Sequence, residues 1–126
     1  MRRRVAATAA YTVQFGAAPT KQPQVGRVPR VARMLALAHK IDQRIRAGEF
    51  RDLAQAARVL GLTRGRISQI SSLLLLSPTI QEAILDLPTA TGRDPITERL
   101  LRPICAEPVW EEQGRMWRRL RRRMMA

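Results

Sequence analysis

Apolar positions with helical spacing begin at residue 34 and continue to the end of the chain. Met34, Leu37, Ala38, Ile41 and Ile45 recur at intervals of three and four residues, which predicts an amphipathic helix that Gly48 ends. Before residue 33, three prolines and two glycines between positions 16 and 29 disfavour a long helix. The pattern therefore divides the chain into an extended arm (1–32) and a helical domain (33–126).

The stretch from Leu53 to Ser72, LAQAARVLGLTRGRISQISS, predicts two short helices joined by a tight turn. Ala57 lets the two backbones approach, and Gly61 allows the positive φ that such a turn needs. Ile67 and Ile70 lie one turn apart and can pack back onto the first helix. With the helix before it, this stretch predicts a tri-helical helix-turn-helix core, in which the second helix of the motif starts at Thr63.

Further helices follow the motif. Four successive leucines, 73–76, extend the second helix and would be buried on all sides, which requires more helices to cover them. Start signals recur at Ser77-Pro78, at Asp94-Pro95 and at Glu107-Pro108. Trp110 and Trp117 share the apolar stripe of the last helix, so both are expected in the core. The predicted fold class is all-α, with C-terminal helices added to the helix-turn-helix.

The outward face of the second motif helix is rich in hydrogen-bond donors and contains no acid, which suits a helix lying in the major groove of DNA. The candidate DNA-binding residues of this helix are Thr63, Arg64, Gly65, Arg66, Ser68, Gln69 and Ser72. The simpler alternative is a helical hairpin whose basic face is only solvated.

The overall charge favours a polyanionic partner. The chain has 126 residues, 23 of them basic and 10 acidic, for a formal net charge of +13 and a pI near 11.8. Twenty-one of the basic residues are arginine, whose planar fork suits phosphates and guanine edges. No 18-residue apolar run is present, so nucleic acid is favoured over a membrane.

The arm itself contains no acidic residue, since the first acid of the chain is Asp42. Arg27 and Arg30 flank Val28-Pro29, a composition that resembles the minor-groove arms of homeodomains and some recombinases. We therefore add both arginines to the candidate DNA-binding residues. A disordered basic tail that contacts only phosphates is the alternative.

Residues for catalysis or metal binding are scarce. Cys105 is the only cysteine and His39 the only histidine, which excludes an intramolecular disulfide and a cysteine-based zinc site. We expect no metal, no cofactor, no small-molecule substrate and no enzymatic activity. A single thiol suits a reducing cytoplasm, and we expect a cytoplasmic, nucleoid-associated protein of bacterial or phage type.

Two families share parts of this pattern. TRGRISQI resembles the recognition helix of sigma-factor region 4. The wider stretch Leu53–Leu87, with GLTRGRIS, SLLLLSP and TIQEAIL, resembles the helix-turn-helix domain of ParB/KorB-type partition and repressor proteins. The resemblance implies a DNA-binding module without the nucleotide-binding domain of ParB proteins, because 32 proline-interrupted residues are too few to form one.

The sequence thus predicts specific binding of double-stranded DNA by a small transcriptional regulator or accessory factor of a phage, plasmid or other mobile element. One monomer reads few bases, so a homodimer is a further expectation. An RNA-binding or ribonucleoprotein module and a basic protein-interaction adaptor are the alternatives. Competition between duplex DNA, duplex RNA and an acidic polymer would separate the three.

Overall fold

Six α-helices and one 3₁₀ turn form the part of the chain described by the computed structural model, residues 26–89 and 91–125. The elements are α1 (Arg30–Arg46), α2 (Leu53–Leu60), α3 (Arg64–Ser71), the 3₁₀ turn (Ser72–Leu75), α4 (Pro78–Leu85), α5 (Glu98–Cys105) and α6 (Trp110–Met125). The predicted all-α class is confirmed for these residues.

Helix α1 carries two apolar cores along its length. Its C-terminal half contributes Ile41 to a small core shared with α2 and α3, in which Ala56, Ala57 and Ile67 are buried. Its N-terminal half contributes to a larger core with the 3₁₀ turn, α4, α5 and α6; the buried members from α1 are Val31, Ala32 and Leu35. The small core orients α3. The larger core joins α4, α5 and α6 to the N-terminal half of α1.

Side-chain caps define where four of the helices begin. The side-chain oxygens of Asp52, Thr63, Ser77 and Thr97 each accept a hydrogen bond from the backbone N–H three residues later, over 2.9–3.3 Å. A cap of this kind stabilises a helix by about 1 kcal/mol, so these polar residues fix the boundaries that apolar spacing leaves open.

The turn between α2 and α3 has the geometry that the sequence predicts. Gly61 ends α2 with φ +72°, and Leu62 N–H donates to the Ala57 carbonyl at 2.8 Å. This bond from residue i to i−5 closes the helix end in the way a left-handed glycine permits. Thr63 then starts α3 without any further loop.

The N-terminal boundary corrects the predicted arm, because α1 begins at Arg30 and not at Arg33. Val31 and Ala32 are buried in the larger core, so the residues from 30 to 32 belong to the helical domain. The start is fixed by Asp94, whose carboxylate accepts from the backbone N–H of Arg30 at 3.0 Å. Residues 1–25 of the expected arm lie outside the described residues.

The leucine run is only partly buried, contrary to expectation. After α3 the backbone tightens into the 3₁₀ turn, which has about three residues per turn. Leu73 and Leu76 therefore lie on one side and are buried, whereas Leu75 is 60% exposed. Gln113 holds this turn against α6: its Oε1 accepts from Ser77 N–H, and its Nε2 donates to the Leu75 carbonyl.

Two expectations for the last helices are also wrong. Helix α5 begins at Glu98, capped by Thr97, because Asp94 is committed to α1 instead of starting a helix of its own. Trp117 is buried, but Trp110 is 57% exposed because it occupies the first turn of α6, ahead of Gln113, the first buried residue of that helix.

Candidate nucleic-acid interface

Helix α3 is fixed by its apolar side and leaves the opposite side open to solvent. Ile67 and Ile70 are each 1% exposed, and the helix packs on α1 and α2. Five of the seven predicted site residues of this helix are exposed together on its outer side; they are Thr63, Arg64, Gly65, Ser68 and Gln69.

The surroundings of this face are basic in sequence as well as in structure. No acidic residue occurs from Leu53 to Ser71, whereas Arg58 and Arg64 are both exposed there. The Oγ1 atom of Thr63 accepts from Arg66 N–H at 3.0 Å, which leaves the hydroxyl hydrogen able to donate outward. The face therefore offers donors to a partner that carries acceptors or negative charge.

Gly65 is unusual because the fold does not require a glycine there. It lies in the first turn of α3 with ordinary helical backbone, and a Cβ built at this position would meet nothing within 4 Å. Glycine in the middle of a helix costs roughly 0.5–1 kcal/mol relative to alanine, and Gly65 is the second residue of α3. No contact among the described residues requires a glycine at this position, and the absent side chain keeps the outer surface of α3 low.

Arg66 has a different environment from the one the sequence suggested. Its Nη1 donates to Glu98 Oε2 at 2.7 Å, and its Nη2 lies 3.4 Å from the Met34 sulfur. The Arg66 side chain is 26% exposed and that of Glu98 only 12%. A contact between Arg66 and a base or phosphate is therefore not what the structure favours, because its guanidinium group ties α3 to α5.

The neighbouring polar residues of α3 are linked to this ion pair. Arg66 Nη1 also donates to Gln69 Oε1 at 3.3 Å. This hydrogen bond orients the exposed amide of Gln69. Ser72, expected to point outward, is half-buried in the 3₁₀ turn, and its hydroxyl donates to the Gln69 carbonyl at 2.7 Å. Glu98 is the residue that sequence reasoning missed, since it lies 32 positions beyond Arg66.

The two arginines assigned to the arm lie against the helical domain. Arg27 Nη2 forms an ion pair with Asp94 Oδ1 at 3.0 Å, and the Asp94 side chain is only 11% exposed. Pro29 is buried, and Arg30 is the first residue of α1, with an exposed side chain. Arg27 is thus tied to the helical domain through the Asp94 carboxylate, while its side chain stays 49% exposed.

Cys105 and His39, the residues with the most reactive side chains, lie in different environments. Cys105 is buried at the end of α5, and this burial raises the pKa of its thiol, so the neutral form dominates at neutral pH. His39 is on the exposed side of α1, where its Nε2 lies 2.7 Å from Gln81 Oε1.

The chain matches no protein-family model, and no curated protein or solved structure matches it significantly. In the portion that the structure describes, no helix has both the length and the apolar character needed to cross a bilayer. Among the same residues, no group of three or more histidine, cysteine or acidic side chains could hold a metal ion.

Proposed function

We propose that the protein binds double-stranded DNA with sequence specificity by inserting the outer face of α3 into the major groove. In this proposal α2, the turn at Gly61 and α3 form a helix-turn-helix motif. The observation that carries it is the glycine at position 65, which the fold does not need, on an exposed helix face with donors on either side. A duplex approaching closely would account for both.

The exposed residues of α3 divide into two roles in this proposal. Arg64 can bond both acceptors of a guanine edge, and Gln69 can pair with the donor and acceptor of adenine. Ser68 suits either kind of base edge. Thr63, at the start of the helix, would donate to a phosphate. Arg66 is assigned an indirect role, because its ion pair with Glu98 orients Gln69 from within.

The biological role follows from the resemblance of this region to ParB/KorB-type domains. A small transcriptional regulator or accessory factor of a phage, plasmid or other mobile element is the role we propose. A homodimer on a two-fold symmetric site would double the few base pairs that one α3 can contact. A palindromic consensus would support that arrangement.

Selection of bound sequences from a random duplex library tests the proposal. We expect the wild-type chain to select a consensus, and Arg64→Ala or Gln69→Ala to lower affinity for it by about 1–3 kcal/mol while relaxing the choice at one position. Arg102→Ala is the matched control, since Arg102 is exposed on α5. Equal losses on consensus and random DNA for both α3 variants would contradict base contact.

Competition experiments separate the two alternative functions. Duplex RNA that displaces the selected DNA at equal concentration would favour a ribonucleoprotein module. Displacement by an acidic polypeptide, with no consensus recovered from the library, would favour a protein-interaction adaptor. Preference for one DNA sequence over both competitors is the result that our proposal requires.

A further inference from the structure

The C-terminal half of α6 presents four arginines on the side of the helix that faces away from the core. Trp117 and Leu120 are buried on the inner side. The outer side carries two pairs of arginines. The two members of each pair are four residues apart, so they are neighbours along the helix axis. We call these residues the α6 arginine surface: Arg118, Arg119, Arg122 and Arg123, all exposed.

No carboxylate in the described part of the chain neutralises these four side chains. Among the residues that the structure describes, no ion pair involves any of them. The acids of α6, Glu111 and Glu112, are confined to its first turn, and Glu112 pairs with Arg115 at 3.4 Å. Arg121 is also accounted for, since its guanidinium carbon lies 5.8 Å from the centre of the Trp117 ring.

Two opposing electrostatic effects act on this surface in the isolated molecule, since the dipole of α6 favours Arg122 and Arg123 in its last turn while neighbouring arginines repel each other. Like charges four residues apart on a helix repel each other, and the α6 arginine surface contains two such pairs without an opposing carboxylate among the described residues. Because no carboxylate among the described residues neutralises these charges, all four side chains are available to an external partner. The charge requires that partner to be an anion with several closely spaced groups.

The density of charge on this surface is comparable with that of duplex nucleic acid. Residues 118–123 span about 7.5 Å along the helix axis, so four charges lie roughly 2.5 Å apart in projection. Duplex DNA carries one charge per about 1.7 Å of its axis, a comparable density. An anionic membrane suits the surface less well, because interfacial helices insert an apolar face, and the apolar face of α6 is already buried in the core.

We propose that the α6 arginine surface binds the phosphates of duplex DNA without reading sequence, as a second interface separate from α3. Binding would release condensed counterions and would steer the protein to DNA before α3 meets its base pairs. This interface does not depend on base contacts by α3, and it would increase affinity for every sequence by the same factor.

The salt dependence of binding to random-sequence duplex DNA tests this inference. The measured quantity is the slope of log K, where K is the association constant for DNA, against the logarithm of the salt concentration. In the α6 variant, all four arginines of the surface become glutamine. If the variant binds two to four fewer phosphates, the slope should become shallower by about 1.8–3.6. The control has the same net charge, because it replaces by glutamine four exposed arginines outside α6 that form no ion pair among the described residues: Arg33, Arg93, Arg99 and Arg102.

Two further measurements complete the test. The melting temperature of the α6 variant at low salt should lie close to that of the wild type, because the relief of repulsion between like charges offsets the loss of the favourable interaction of Arg122 and Arg123 with the helix dipole. A variant with lysine at the same four positions should keep the steep slope. The ratio of affinities for a selected and a random sequence should be the same in the wild type and the α6 variant.

The inference is overturned if the folded α6 variant keeps the wild-type slope, or if the control lowers the slope as much as the α6 variant does. Vesicles with anionic lipids supply a further outcome: loss of vesicle binding with an unchanged DNA slope would assign the surface to membranes. The slope is measured on random DNA. The test of the α6 arginine surface is therefore independent of whether α3 selects a sequence.

Discussion

Gly65 and Arg66 are adjacent in the chain but have different environments: Gly65 faces solvent on the outer side of α3, and the Arg66 side chain contacts the rest of the molecule. Gly65 leaves the outer side low, and none of the described residues occupies the space beside it. Arg66 turns back toward Glu98 and Gln69. In the proposed interface Gly65 would allow a duplex to approach α3 closely, whereas Arg66 ties α3 to α5.

Replacing Gly65 separates stability from binding. Because its backbone is helical and the space around it is open, Gly65→Ala should stabilise the fold by about 0.5–1 kcal/mol. The added methyl group should at the same time weaken binding to the selected DNA, since it raises the surface of α3 toward the bases. Thermal melting and a DNA titration on one preparation measure both effects. An alanine variant that is more stable and binds equally well would remove the argument from close approach.

At the level of elements, the sequence predicts most boundaries because local chemistry sets them. The Thr63 cap, the Gly61 turn and the Ser77-Pro78 start depend on neighbouring residues only, and the structure confirms all three. The early start of α1 and the late start of α5 were missed because Asp94 caps a helix 64 positions away. The inward turn of Arg66 was missed for the same reason, since no spacing rule predicts its pairing with Glu98.

The packing of α2 on its neighbours gives a test of the corner between α2 and α3. Ala57 is 2% exposed in the small core, and its carbonyl accepts the bond that closes the end of α2. Ala57→Leu should overpack this site and lower the free energy of unfolding by about 1–3 kcal/mol. Val59→Leu is the matched control, because Val59 lies on the same helix and is 64% exposed. Equal melting temperatures for the two variants would show that Ala57 has room to spare.

At the scale of the whole molecule, one helix supports both proposed DNA surfaces. Helix α1 contributes to the small core that orients α3 and to the larger core on which α6 packs. The ion pair of Arg66 with Glu98 joins the same two halves through α3 and α5. In the proposal, α3 and α6 would contact DNA from two faces of one packed unit. Substitutions on α6 would then change affinity for every sequence, and substitutions on α3 would change the choice of sequence.

Because α1 begins at Arg30, two N-terminal deletions should differ in their effect on stability. A chain lacking residues 1–25 keeps Arg27, Pro29 and the Asp94 cap of α1, so its melting temperature should match that of the full chain. Removing residues 1–32 also deletes Val31, which is 1% exposed, and should cost about 1.5–3 kcal/mol from that side chain alone. A loss of stability in the shorter deletion would mean that residues before 26 also support the fold.

The shorter of these deletions also tests what the basic residues before position 26 contribute to binding. Removing residues 1–25 takes away Arg2, Arg3, Arg4 and Lys21 but leaves both proposed interfaces complete. If these side chains bind phosphates, the slope of log K against log salt should become shallower by about 0.9 for each phosphate that the shortened chain no longer neutralises. Sequence choice should not change, because α3 is untouched. An unchanged slope in the folded 26–126 chain would show that these cations neutralise no phosphates of DNA.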